Sequence, residues 1–157
     1  MNSPEPAPFS NTKKRVAWVV IATSCVAGFE GVRQVAYRDP VGIPTICFGE
    51  TQGVKLGDRA TMDECRAMLA DSLTIANDNV DRCLKVPVND NQRAALVSFT
   101  YNVGGAAFCR SNVVRKINAG EIDAGCNSLT QWVYAKGVKL PGLVKRREAE
   151  RDLCLKG

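Results

Sequence analysis

Glu30, Asp39 and Thr45 follow one another with eight and then five residues between them. Two carboxyls and a hydroxyl at such short range suit the cleavage of a glycosidic bond. That reaction needs a proton for the leaving oxygen and a second group that steadies positive charge or activates water. Carboxyls in unlike surroundings divide these roles. Glu30 follows an apolar run, where desolvation favours its protonated form. Asp39 stands in a polar turn beside Arg38, where it is expected to stay ionised, and the Thr45 hydroxyl offers a hydrogen bond to a water.

The rest of the composition narrows the chemistry. There is no histidine in the 157 residues, which excludes a histidine-based triad and disfavours a zinc enzyme. Acid–base work then falls to carboxylates. The net charge of +5, from 21 basic and 16 acidic residues, slightly favours a polyanionic partner. The basic residues are scattered apart from Lys13-Lys14-Arg15 and Lys145-Arg146-Arg147, and no nucleic-acid-binding module is recognisable. Seven cysteines without a CxxC pair suggest a disulfide framework in an oxidising compartment, with one left over.

The elements that must carry these residues are mostly helical. Residues 1–15 read as a polar, basic tail, disordered over residues 1–12. Residues 16–27 form an uncharged apolar segment. A helix from Val16 to Phe29 would be about 21 Å long, short of the roughly 20 residues of a comfortable membrane span. The segment reads as a cleaved signal, as an uncleaved export signal, or as the buried first helix of the domain. Closeness to Glu30 argues for its retention. Residues 28–157 read as the domain that carries these groups and is expected to be catalytic. Short strands are expected within 35–48. A helix follows Thr61, with Glu64 completing a capping box, to about Val80. Asp90 or Asn91 caps a nearly all-apolar central helix that ends at Gly104-Gly105. Ser111 caps the next, a further helix spans 123–134, and a loop leads to a basic last helix over 143–155.

The order Glu30, Asp39, Thr45 resembles the catalytic signature of phage lysozymes of the T4 type. The likeness continues through "EG" at 30–31, "YRD" at 37–39 and "TICFG" at 45–49. Farther on, "ALVSFTYNVG" (95–104), "AAFCRSNVVRKINAG" (106–120) and "WVYAKGVKLPGLVKRREAERDLC" (132–154) are similar to the family's central helix and C-terminal lobe, especially in lambdoid phage endolysins. The resemblance covers about residues 28–155.

It implies a lysozyme-like α+β fold, with a small β lobe joined by a long helix to a helical C-terminal lobe. It also implies hydrolysis of the β-1,4 bond between N-acetylmuramic acid and N-acetylglucosamine of peptidoglycan, with inversion, for host cell lysis. Glu30 is then the general acid, Asp39 assists water attack or stabilises the transition state, and Thr45 positions the water. Tyr101 and Ser111 fall at cleft-lining, substrate-binding positions. Trp132 matches the family and is expected in the core. Glu50 stands where many members have histidine and is assigned no catalytic role. Arg146 and Arg147 either touch the anionic wall polymer or, as the plainer expectation, lie on a solvated face with Glu148 and Glu150. The family pattern pairs Cys47 with Cys65, Cys83 with Cys109, and Cys126 with Cys154.

Several similar endolysins begin with a signal-anchor-release helix that exports and tethers the enzyme, then leaves the bilayer. Residues 16–27 look like a short example. The implied setting is the host periplasm, with transient inner-membrane association through that segment. Cys25 is the odd cysteine, either a redox switch that exchanges with another thiol or a small apolar residue. No cofactor, metal or nucleic-acid partner is implied, and a monomer is expected. The rival readings are a lytic transglycosylase, a non-catalytic disulfide-stapled peptidoglycan-binding module and, more distantly, a DNA-binding protein.

Overall fold

The computed structural model describes residues 10–157, with side chains from residue 17 onward. Helix α1, Ser10–Phe29, buries Trp18, Ala22 and Val26, one residue every fourth, along a single stripe. That spacing stacks side chains on one helix face. The stripe packs against the central helix and the long connecting helix described below. Trp18, Ala22 and Val26 are therefore core in this state, while Val20 and Ser24 on the opposite face are exposed. The expected tail is helical from Ser10, and the remainder of that expectation, residues 1–9, lies outside the described residues. Among the described residues no helix is long and apolar enough to cross a membrane.

Strands β1, Arg33–Arg38, and β2, Pro44–Cys47, form an antiparallel hairpin with an irregularity between Arg33 and Tyr37. The loop after it returns to the edge of β1, where Ala36 N–H donates to Asp58 O and Ala60 N–H to Gln34 O, each at 2.9 Å. Helix α2, Met62–Cys83, opens with the expected capping box. Thr61 Oγ1 accepts from Glu64 N–H at 3.1 Å, and Glu64 Oε2 accepts from Thr61 N–H at 2.8 Å. At about 33 Å it spans the molecule. Disulfides fix both ends, Cys65 to Cys47 in β2 and Cys83 to Cys109.

Helix α3, Asp90–Val103, is buried continuously from Ala94 to Thr100 and forms the centre of the fold. Its cap is Asn89 rather than Asp90 or Asn91. Asn89 Oδ1 accepts from Gln92 N–H at 2.8 Å, and Gln92 Oε1 accepts from Asn89 N–H at 2.9 Å. Helices α4, Gly105–Arg110, α5, Asn112–Asn118, and α6, Ile122–Ser128, then wrap the C-terminal lobe. The helix expected over 123–134 ends early. A 3-10 turn, Leu129–Gln131, is followed by hairpin β3, Tyr134–Ala135, and β4, Val138–Lys139. Lys136 and Gly137 at its tip have φ of 50° and 77°, the left-handed pair that a two-residue hairpin turn requires. Helix α7, Pro141–Leu155, starts two residues earlier than expected because Pro141 suits the first helical turn. The third disulfide joins Cys126 in α6 to Cys154 in α7.

Candidate active site

Glu30 is the residue just past α1, and its N–H still donates to Val26 O at 2.9 Å. The packing of α1 thus fixes where its carboxyl points. Glu30 Oε1 accepts from Arg146 Nη1 at 2.8 Å, and the Glu30 side chain keeps 31% of its surface exposed. The surrounding is not the purely apolar one that the preceding run suggested, because a guanidinium has been brought in from α7. Arg146 itself is only 5% exposed. Its Nε donates to Glu150 Oε1 at 3.1 Å and its Nη2 to Ser98 O at 3.3 Å, and the Phe29 ring lies 5.3 Å from its guanidinium carbon.

Asp39 and Thr45 share a second anchor. Asp39 Oδ1 accepts from the N–H groups of Val41 at 2.9 Å and Ile43 at 2.8 Å. An aspartate that binds its own downstream backbone closes such a turn. Arg38 does not pair with Asp39; its Nη1 donates to Gly42 O at 3.0 Å and braces the same turn. Thr45, 4% exposed, donates its hydroxyl to Ile43 O at 2.9 Å. Ile43 therefore holds Asp39 by its N–H and Thr45 by its carbonyl. Asp39 Oδ2 has no protein partner among the described residues, and the Thr45 oxygen still has lone pairs to accept with.

Tyr101, on α3, is half-buried. Burial pushes its phenol up to about 12, with the charges of Glu50 and Glu30 adding and that of Arg146 opposing. Those influences put Tyr101 in the electrostatic neighbourhood of both acids. Glu50 is half-buried too, with both oxygens accepting from Ser72 Oγ at 2.9 and 3.0 Å. Burial raises its carboxyl above the ordinary glutamate value, the Ser72 bond lowers it in part, and Asp71 raises it further. Glu50 and Ser72 line a cavity of about 470 Å³ between the β lobe and α2.

Ser111 caps α5, as its position before that helix led one to expect. It is 4% exposed, donates to Phe108 O at 2.7 Å and accepts from Val114 N–H at 3.3 Å. Its proton and one of its two lone pairs are thus used within the protein. Trp132 packs edge-on to Phe99, ring centres 5.4 Å apart.

The sequence reading missed the group behind Glu30. Arg146 and Arg147 are neither solvated nor available to a wall polymer. Glu150, 0% exposed, accepts from Ser98 Oγ at 2.7 Å and from Arg147 Nη1 at 2.6 Å, besides Arg146. Arg147 also donates to Trp132 O at 2.9 Å and to Asn102 Oδ1. Its burial lowers its proton affinity, and Glu150 opposes that. The signal was present in the spacing, since Arg146 and Arg147 precede Glu150 by four and three residues on one helix. The same spacing fits a surface pair, and only the position of α7 against α3 decides between them. The three disulfides join the pairs that the resemblance implies, which leaves Cys25 free. Its Sγ lies 3.9 Å from Ser98 Oγ, and burial raises its thiol above the usual range.

The family model described as phage lysozyme matches residues 27–150. The chain belongs to the phage lysozyme family. This phage lysozyme is 43% identical over 131 residues to the SAR-endolysin of Bacteriophage PS119, covering 83% of this chain and 78% of that protein. Among solved structures it is similar to the endolysin from Escherichia coli O157:H7 phage FAHEc1. There the TM-score is 0.80 and the identity 32%, over 87% of this chain and 91% of that one. It matches the active form of P1 phage endolysin Lyz with a TM-score of 0.75 at 27% identity, covering 91% and 93% of the chains. The secreted inactive form of Lyz gives 0.55 at 26%, covering 90% and 94%. This phage lysozyme thus superposes better on the active form than on the inactive one.

Proposed function

We propose that this phage lysozyme hydrolyses the β-1,4 bond between N-acetylmuramic acid and N-acetylglucosamine with inversion, using Glu30 as acid, Asp39 as base and Thr45 to aim the water. The observation that carries the reading is the double anchor at Ile43. A water that donates one hydrogen to Asp39 Oδ2 and the other to Thr45 Oγ1 presents its lone pair to the anomeric carbon. Thr45 suits this because its own proton is already given to Ile43 O. Glu30 Oε1 is held by Arg146, so the catalytic proton belongs on Oε2. As the C–O bond breaks, that proton passes to the leaving oxygen. The water oxygen bonds to the anomeric carbon and its proton passes to Asp39. Solvent exchange then returns a proton from Asp39 to Glu30. Tyr101 contacts the glycan from α3.

The enzyme acts in the host periplasm as a monomer. Residues 16–27 tether it to the inner membrane for a time, then fold as the second half of α1. Trp18, Ala22 and Val26 cannot face lipid and α3 at once, so the tethered state lacks the support that positions Glu30.

Digestion of purified murein by wild type and by Glu30→Gln tests the reading. Soluble muropeptides with reducing ends are expected from wild type only. Anhydro-ended fragments would indicate a lytic transglycosylase. No fragments from folded, oxidised wild type would leave only a binding module.

A further inference from the structure

Helix α1 meets α3 through Trp18, Ala22 and Val26. On its opposite face Val20 is 59% exposed, and Ser24 is exposed one turn later. Where α1 runs beside α2 the two helices wall an open groove of about 520 Å³, a volume that suits a small-molecule ligand. Val20, Thr23 and Ala27 line it from α1, and Arg66, Ala67 and Ala70 from α2. None of these residues takes part in the reaction described above.

Three features of the groove point to one ligand chemistry. Its walls are mainly apolar, and Ala27, Ala67 and Ala70 carry only a methyl group, so a narrow chain can lie between the helices. The Thr23 hydroxyl oxygen is buried and has no hydrogen-bond partner among the described residues. A buried hydroxyl without a partner is rare, and this one would donate to an acceptor brought by the ligand. Among the described residues that line the groove, Arg66 alone is charged. Its ion pair with Asp63 is long, at 3.9 Å, with side chains 62% and 98% exposed, and such a pair holds little in water. The guanidinium is thus free to grip a phosphate by two hydrogen bonds. Lys13, Lys14 and Arg15 belong to the same helix within about two turns of Val20 and add to the positive field. A phospholipid carries all three matching groups, as acyl chain, ester carbonyl and phosphate.

We infer that this groove binds an anionic phospholipid at a bilayer surface while the enzyme is folded, with an acyl chain between α1 and α2 and the phosphate on Arg66. This goes beyond the muramidase reading and does not depend on it. It also differs from tethering by residues 16–27, because Trp18, Ala22 and Val26 stay against α3 and half of the site belongs to α2. The folded lysozyme would then remain at the membrane surface after α1 has left the bilayer.

The test uses the full-length oxidised protein, sedimented with vesicles of phosphatidylglycerol or of phosphatidylcholine. Binding is expected with the first and not with the second. Monomeric dihexanoyl-phosphatidylglycerol should shift the amide NMR signals of Val20, Thr23, Ala27, Arg66 and Ala70. Ala67→Leu fills the groove with a good helix former and should abolish vesicle binding. Arg66→Gln should weaken it about fivefold, the share of one basic residue at an anionic surface. Both variants should digest murein as wild type does. Vesicle binding that neither variant alters would show that α1 enters the bilayer by itself, and would overturn the groove. So would equal binding to phosphatidylcholine, or a dimer in buffer that Ala67→Leu dissociates, which would assign the groove to a second copy. Vesicle binding by protein that releases no murein fragments would leave the groove standing and overturn the muramidase reading. Murein digestion without vesicle binding would do the reverse.

Discussion

Arg146 Nη1 lies 2.8 Å from Glu30 Oε1, and the same guanidinium reaches Glu150 and the Ser98 carbonyl. The proposed catalytic acid is thus held by a residue 116 positions away that is almost fully buried. Lysine in its place would keep the charge but could not reach three partners in a fixed plane. Arg146→Lys should lower kcat on murein by about 10- to 100-fold, with KM little changed, as expected when an interaction acts through the transition state. Glu150→Gln should lower stability by about 3–5 kcal/mol, because two buried guanidiniums lose their shared counter-charge. Denaturant titration and steady-state kinetics separate the two effects. Unchanged kcat in Arg146→Lys would remove Arg146 from the positioning of Glu30.

Thr45→Val removes one hydroxyl at nearly constant volume. The lost bond to Ile43 O should lower stability by about 1 kcal/mol. The water would lose one of its two acceptors, and kcat should fall by about 100-fold, within the usual range for proton-transfer assistance. Thr45→Ser should recover most of the activity. Equal activity in the valine and serine variants would sink the water-aiming role.

Glu50 makes a prediction about pH. Burial holds its proton more tightly in the folded chain than in the unfolded one. Between the ordinary glutamate value and its raised one, the folded state binds more protons, so stability falls as pH rises through that window. Above the window the penalty is complete. Glu50→Gln can still accept from Ser72 and carries no charge. Its Tm should match wild type below about pH 4, near the ordinary glutamate value, and exceed it at pH 7. A Tm difference independent of pH would show that Glu50 is not charged at a penalty.

Cys25 has a raised thiol in a folded helix, with Ser98 Oγ its hydrogen-bond partner. The thiolate is the nucleophile in exchange, so burial of Cys25 disfavours exchange while α1 is packed. Cys25→Ser should leave murein digestion and lysis timing unchanged, and iodoacetamide should label wild type far faster in urea than in buffer. Altered lysis timing in the serine variant would support the exchange expectation for the tethered state.

Much of this arrangement was legible in the chain. The Thr61–Glu64 capping box, the unbroken apolar run of α3 and the hairpin between β1 and β2 all follow from local rules, so local reading found them. The cap of α3 was misplaced because Asn89, Asp90 and Asn91 are all eligible, and only Gln92, three residues after Asn89, selects the first. The hairpin at 134–139 was missed because the apolar spacing through Leu129, Trp132 and Val133 mimics a helix face, while the turn is decided by Lys136 and Gly137. Glu30, Asp39 and Thr45 stood out through their spacing and its resemblance to a known signature. Arg146 did not, since burial of a charged residue depends on which helices meet, and sequence spacing carries no record of that.

Inversion is the consequence that depends most directly on Asp39 and Thr45 holding a water rather than a glycosyl group. We would follow the first turnovers on a soluble muropeptide oligomer by proton NMR, before mutarotation, and read the anomeric signal of the new reducing end. The α anomer appearing first is the predicted result. The β anomer appearing first, or an anhydro end, would contradict the water-aiming geometry.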